Sequence, residues 1–445
     1  MLSSTMSPST DGAIGGSMRR SIVASSLGKV VELVTLVALA TIVPRALGPA
    51  DYGRFAVVLT VVTMVSLALT LGGPTLMTRY VPAAPPDERV PLALALGRRL
   101  LVTRAAMLSI GAVAALGVAT TTSLSLTDTS IAIVASTLHV VATIALLVLL
   151  GLGGTTAWAV RFPFHNAVLV IAALVLYPVG GVTASLIAIL IAAIATTLAA
   201  LIVAAPVLRA HPTGDVQLPS GALHFGALQA GGAALMQYTH RAGVLAVAIF
   251  AGSSVETGYA ALAIGLALGA TYAVLQLFTV SLPHLTSGDL DREGTERAEA
   301  PLRRLALAAT ALLVPVLAAA ALLLDWLVPP IFGTDYEGAE TAFVPALALV
   351  VLAPLYSLYV QVAAVRLRPR VTLECGIVAA VLFTIVAVVT TPSWNAVGGT
   401  TAALVGSVGA VLVALVRMRP MASFAQMAAT FGGAGIVIVA GLIGT

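Results

Sequence analysis

The chain has 445 residues; 59% are hydrophobic, only 9% are charged, and the mean hydropathy is +1.07. A soluble domain carries about 25% charged residues, so this composition excludes an ordinary water-facing surface and makes the bilayer the natural solvent. The net charge of +4 (22 Lys and Arg against 18 Asp and Glu) is scattered between apolar runs and does not read as nucleic-acid binding, and the single cysteine, Cys375, excludes an internal disulfide.

Residues 1–20 are polar and end on Arg19 and Arg20, a cytoplasmic tail. The apolar stretch 22–44 is longer than a secretory core and lacks a small-residue cleavage pattern, so it reads as a retained first span. Further spans follow near 54–77, 101–120, 131–152, 162–179, 183–207, 226–250, 257–284, 304–330, 342–364, 371–391 and 397–416, and a thirteenth apolar stretch covers 424–444. These runs are about 20 residues long and do not alternate in polarity, which selects helices over a barrel. A helix also satisfies its own backbone hydrogen bonds in lipid. The fold class expected is an all-α membrane protein of 12–13 transmembrane helices.

Loop charges set the register. With the N-terminus inside, 18 arginines fall on the cytoplasmic side, whereas Arg45 and Arg54 fall on the opposite side. That imbalance is what the positive-inside rule predicts. The remaining basic residues, Lys29 and Arg241, lie inside spans. Segment 209–225, with Pro212, Gly214, Asp215 and Pro219, reads as a cytoplasmic linker. It divides the chain into six-span halves, 21–208 and 226–419, leaving 420–445 as an extra C-terminal span.

A short internal repeat accompanies that division. Asp51 and Gly53, between spans 1 and 2, match Glu256 and Gly258, between spans 7 and 8, both at an offset of 205. An even number of spans per half makes such a repeat parallel, about an axis along the membrane normal. Loops between helices also commonly carry Gly, Pro and Asp, so the match has a plain compositional reading as well.

No enzymatic signature is visible. Gly151, Gly153 and Gly154 form a glycine-rich stretch without the lysine of a phosphate-binding loop, and the six histidines are dispersed without metal-ligand spacing. The expectation is a protein that is not an enzyme and holds no cofactor. The informative residues are polar ones inside spans, because a charge at the bilayer centre costs about 2.5–3.5 kcal/mol. Arg241 lies near the middle of span 7, beside His240 and close to Gln237; it faces either a cavity or a carboxylate such as Glu32. Lys29 and Glu32 share one face of span 1 and form either a self-neutralising pair or part of a cavity wall. His139, Glu374 and Gln276 are weaker candidates. Guanidinium groups match phosphate oxygens through their forked donors, so two in-span basic residues, one per half, point to an anion.

The ordered set of loop motifs resembles one family. Arg45-Ala-Leu-Gly-Pro-Ala-Asp-Tyr-Gly-Arg-Phe, Leu71-Gly-Gly-Pro and Thr78-Arg-Tyr-Val resemble the opening of the Wzx-type oligosaccharide and polysaccharide flippases of the multidrug/oligosaccharidyl-lipid/polysaccharide (MOP) exporter superfamily. Glu256-Thr-Gly-Tyr-Ala-Ala-Leu, Phe332-Gly-Thr-Asp-Tyr-Glu-Gly-Ala, Arg368-Pro-Arg and Val397-Gly-Gly-Thr-Thr-Ala-Ala are similar to later family segments, in the same order. The resemblance implies two six-helix lobes around a central cavity with alternating access, in a bacterial cell membrane. It implies a polyprenyl-(pyro)phosphate-linked oligosaccharide as cargo, flipped to the outer leaflet for cell-surface polysaccharide synthesis. The implied partners are that substrate, membrane lipids and glycan-assembly membrane proteins. On this reading Arg241, Lys29, Glu32, His240 and Gln237 are the substrate-binding residues. One departure is Gly243, where many members carry an acidic residue two positions after the span 7 arginine. Two other readings remain: a multidrug exporter of the same superfamily, and a non-transporting scaffold for glycan-assembly enzymes.

Overall fold

The computed structural model describes residues 11–70, 72–82, 84–121, 125–209, 222–285, 292–366, 368–418 and 423–445. Its helices are α1 (Asp11–Thr70), α2 (Gly73–Tyr80), α3 (Arg89–Thr121), α4 (Leu126–Gly151), α5 (Thr155–Leu208), α6 (Ala222–Ala246), α7 (Ser254–Leu285), α8 (Arg292–Leu322), α9 (Leu324–Phe332), α10 (Glu340–Val365), α11 (Pro369–Arg417) and α12 (Phe424–Gly444). A π-helical turn, Val247–Ala251, extends α6, and a 3₁₀ turn, Thr334–Ala339, precedes α10. No strand occurs among the described residues.

Three of these helices are too long for one crossing. At 1.5 Å per residue, the 54 residues of α5 would run about 81 Å against a hydrocarbon core of about 30 Å. Each long helix therefore breaks once: α1 at Gly48 (φ 73°), α5 at Gly180 and Gly181 (φ 61°), and α11 at Asn395 (φ 48°, ψ −123°). Nine stretches among the described residues are long and apolar enough to cross a membrane. Three of them are these double helices, so they make twelve passes. α6 (25 residues), which carries Gln237, His240 and Arg241, is not among the nine.

The outside of the molecule is apolar. Ile110 and Val113 are each 73% exposed and Val179 is 85% exposed, a surface suited to lipid tails and not to water. Multi-pass membrane residence follows from both observations. The helix ends follow ordinary capping chemistry. Ser125 Oγ accepts from Asp128 N–H at the start of α4, and Ser423 Oγ accepts from Gln426 N–H at the start of α12. The start of α3 lies twelve residues before the span expected at 101, so Arg98 and Arg99 stand on helix, exposed. Long basic side chains can do this at a membrane edge by reaching to the headgroups.

Packing separates two lobes. In the first, α4 and α5 pack on α1, and α3 rests on α4. In the second, α11 lies along α6, and α10 touches α7, α8 and α11. α12 joins this second lobe on α8 and α10, with Gly433 against Val314 and Gly441 against Val344. The lobes meet where α1 runs along α6 and α7. At the arginine-rich end, Glu299 is 2% exposed and accepts from Arg303 Nη2 at 3.0 Å and Arg366 Nε at 2.7 Å. Gln426 Nε2 donates to the Arg303 carbonyl at 3.3 Å, so this buried ion cluster ties α8, α10 and α12 together.

Asn395 is the one described non-glycine residue with positive φ. That backbone position costs a side-chain-bearing residue about 1–3 kcal/mol. It is held by the Glu256 carboxylate, which accepts from the next backbone N–H, Ala396, at 3.1 Å. Asn395→Gly is expected to raise stability by about 1 kcal/mol, read as a higher melting temperature in detergent; an unchanged or lower value would refute the strain.

Candidate functional site

Arg241 stands on α6 one turn beyond Gln237, so the two side chains share a face. Arg241 Nε donates to Gln237 Oε1 at 3.2 Å. From the neighbouring helix α7, Tyr272 donates its hydroxyl proton to the same Gln237 oxygen at 2.6 Å and accepts from Arg241 Nη2 at 3.4 Å. The Tyr272 ring centre lies 5.9 Å from the guanidinium carbon, within reach of a cation–π attraction. All three side chains are half-buried. The cluster lies by the seam between lobes: three residues before Tyr272, a Cβ added at Gly269 would sit 3.3 Å from Leu36 of α1.

No ion pair to Arg241 occurs among the described residues; the side chain of Glu32, the carboxylate expected as its alternative partner, lies outside them. The backbone also bars one from position 243. A Cβ at Gly243 would lie 2.8 Å from the Gly399 carbonyl oxygen and 2.6 Å from Ile264 Cδ1, so α6 and α11 touch there with no room for an acidic side chain.

The other sequence candidates separate. His240, 7% exposed, lines a void of about 10 Å³ with Ile264, Ala267, Leu268, Thr400 and Ala403, close to the size of one water. It therefore faces the second lobe's interior, although it adjoins Arg241 in sequence. The side chains of Lys29, Glu32 and Gln276 lie outside the described residues. Glu374 pairs with Arg417 at 2.6 Å. His139 is buried against Phe162 and His165, its ring centre 4.7 Å from that of His165. Tyr272 was missed by sequence reasoning. Its signal was a lone tyrosine in an apolar span, and nothing local linked it to α6.

The seam closes tightly at the arginine-poor end. A Cβ on Gly53 would overlap the Ser254 carbonyl oxygen and lie 2.9 Å from Gly258 N; a Cβ on Gly258 would overlap the Pro49 carbonyl oxygen and lie 2.9 Å from its carbon. Positions 49 and 254, like 53 and 258, differ by 205 residues. The repeat seen in sequence is thus a pair of backbones in mutual contact, each glycine against the other lobe. The two arginines that topology left at this end are both engaged. Arg45 Nη1 donates to the Pro330 carbonyl at 2.8 Å, and Arg54 makes paired bonds to Asp128 at 2.6 and 2.8 Å. Tyr336, fully buried, donates to the Pro44 carbonyl at 3.0 Å, a second link from α1 to the opposite lobe. The aligned acids have parallel duties: Asp51 accepts from Tyr177 at 3.1 Å just before the α5 break, and Glu256 accepts from Ala396 at the α11 break.

No protein-family model and no curated protein matches the chain. Solved structures do. The lipid II flippase MurJ, in an inward closed conformation, aligns over 94% of this chain and 91% of its own, with a TM-score of 0.68 at 11% identity. A multidrug resistance MATE family transporter of the MOP superfamily aligns in its outward-facing conformation over 94% and 96%, at TM-score 0.58 and 16% identity. The inward-facing conformation of such a transporter aligns over 92% and 95%, at TM-score 0.57 and 16% identity. At 11–16% identity the likeness is one of architecture: the chain shares its helical fold with these transporters.

Proposed function

We propose that the chain is an alternating-access flippase that moves a polyprenyl-(pyro)phosphate-linked oligosaccharide from the cytoplasmic to the outer leaflet of a bacterial membrane, N-terminus inside. The observation that carries this reading is Arg241, a guanidinium within a span, held by neutral groups and paired with no described carboxylate. A cation left unneutralised in lipid is costly unless an anion or a water-filled space receives it. Its forked donors suit a phosphate. Arg241 receives that group and Gln237 orients the guanidinium. Lys29 and Glu32 add a charged face from span 1, and His240 backs the site from the interior of the second lobe. The fold shared with a lipid II flippase supports a lipid-linked cargo.

The same fold is shared with multidrug transporters, which makes a drug exporter the second reading; a guanidinium held only by neutral groups repels organic cations and disfavours it. In a scaffold, Arg241 would be expected to pair internally. The test uses the full chain in proteoliposomes loaded with a fluorescent polyprenyl-phosphate sugar. Protein-dependent exchange of the probe between leaflets is expected. No exchange of that probe, together with uptake of an organic cation such as ethidium, would refute the flippase reading.

A further inference from the structure

Arg241 has the geometry of a salt-bridged arginine without the charge of its partner. Nε–H and one N–H of Nη2 lie along one edge of a guanidinium, the edge that a carboxylate grips with two parallel bonds. Here that edge meets Gln237 Oε1 and Tyr272 Oη. The two oxygens are only 2.6 Å apart, drawn together by the tyrosine hydroxyl donating to the amide carbonyl. That proton is directed at Gln237, so the tyrosine oxygen turns its lone pairs to the guanidinium. Two neutral oxygens from two helices thus take the places of the two oxygens of a carboxylate.

We infer that Gln237 and Tyr272 are positioning residues that hold Arg241 as a carboxylate would while preserving its positive charge. They leave the opposite Nη1/Nη2 end as a single fork for one phosphate group of the substrate. The inference rests on the anion reading above. Nη1 makes no hydrogen bond to a described residue, and the side chain is only half-buried. A carboxylate at Gln237 would grip the same edge more strongly and cancel the attraction the site needs.

The test titrates farnesyl phosphate into the purified full chain in detergent by calorimetry. Gln237→Glu keeps the shape and the grip and adds a negative charge. It is expected to lower affinity at least about thirtyfold, as Arg241→Ala does, with an unchanged or higher melting temperature. Tyr272→Phe is expected to lower affinity about tenfold, and to have no effect in an Arg241→Lys chain, whose ammonium has no edge to hold. Arg241→Ala should cost farnesyl phosphate and farnesyl diphosphate the same factor, because one fork holds one phosphate; a larger loss for the diphosphate overturns the single fork. Wild-type affinity in Gln237→Glu, or in Tyr272→Phe should the first variant fail to fold, overturns the positioning role while a loss in Arg241→Ala leaves the anion reading standing. Wild-type affinity in Arg241→Ala brings down both. Inorganic phosphate is expected to show no saturation in the same titration; equal affinity for it overturns the lipid as the source of the phosphate.

Discussion

Arg241→Ala is expected to slow leaflet exchange of a polyprenyl-phosphate sugar in proteoliposomes by at least about a hundredfold, and to make the protein more stable. The two effects have one cause. Placing an arginine at the centre of a span costs about 2.5–3.5 kcal/mol on insertion, and its removal relieves part of that cost. The neighbours left behind do not suffer, since the Tyr272 hydroxyl still donates to Gln237. Truncating one partner of a buried charge pair in a complex costs about 2–5 kcal/mol of binding, and 1.4 kcal/mol is about tenfold. Arg241→Lys retains the charge and loses the fork, so an intermediate rate, roughly tenfold down, is expected. A gain in melting temperature with loss of exchange marks a residue kept for function at the expense of stability. Exchange within threefold of wild type, or a fall in melting temperature, would show that Arg241 is structural.

The fold was legible to a large degree because lipid removes alternatives. Once the apolar runs and the arginine imbalance are read together, the number of passes follows, and the breaks at Gly48 and Gly180–Gly181 lie at glycines that sequence reading treats as punctuation. The break at Asn395 was not legible, since asparagine in that backbone conformation is held by a distant carboxylate, Glu256. In the candidate site, Gln237 and Arg241 were legible because they sit one helical turn apart. Tyr272 was not, because its partnership crosses from α7 to α6 and leaves no local spacing. His240 illustrates the converse: adjacency in sequence to Arg241 suggested a shared site, yet neighbouring residues on a helix point about 100° apart, and its side chain lines an interior void.

The repeat at offset 205 was visible as a pair of glycine-containing loops, and its physical content emerges only where the loops touch. Gly53→Val and Gly258→Val are each expected to abolish exchange, by at least about thirtyfold, with the protein still present in the membrane. Each added side chain would collide with backbone of the opposite lobe, at Ser254 and Gly258 in one case and Pro49 in the other. Backbone in a packed helix end cannot step aside as a flexible side chain can, so the lobes must separate at this end. Alternating access requires that this end close in half of the cycle, and a seal held open removes that half. Arg45 and Tyr336 would lose their grip on Pro330 and Pro44 at the same time. The structural consequence can be measured apart from transport. In a Cys375→Ala chain, a cysteine replacing Leu47, 5% exposed in the closed seal, should resist a bulky maleimide in detergent. It should label at least about tenfold faster once Gly258→Val is added, a rate ratio that corresponds to roughly 1.4 kcal/mol on the opening equilibrium. Equal labelling with exchange intact would mean that this contact is incidental packing. Equal labelling with exchange lost would place the defect elsewhere in the cycle and remove the seal from the mechanism.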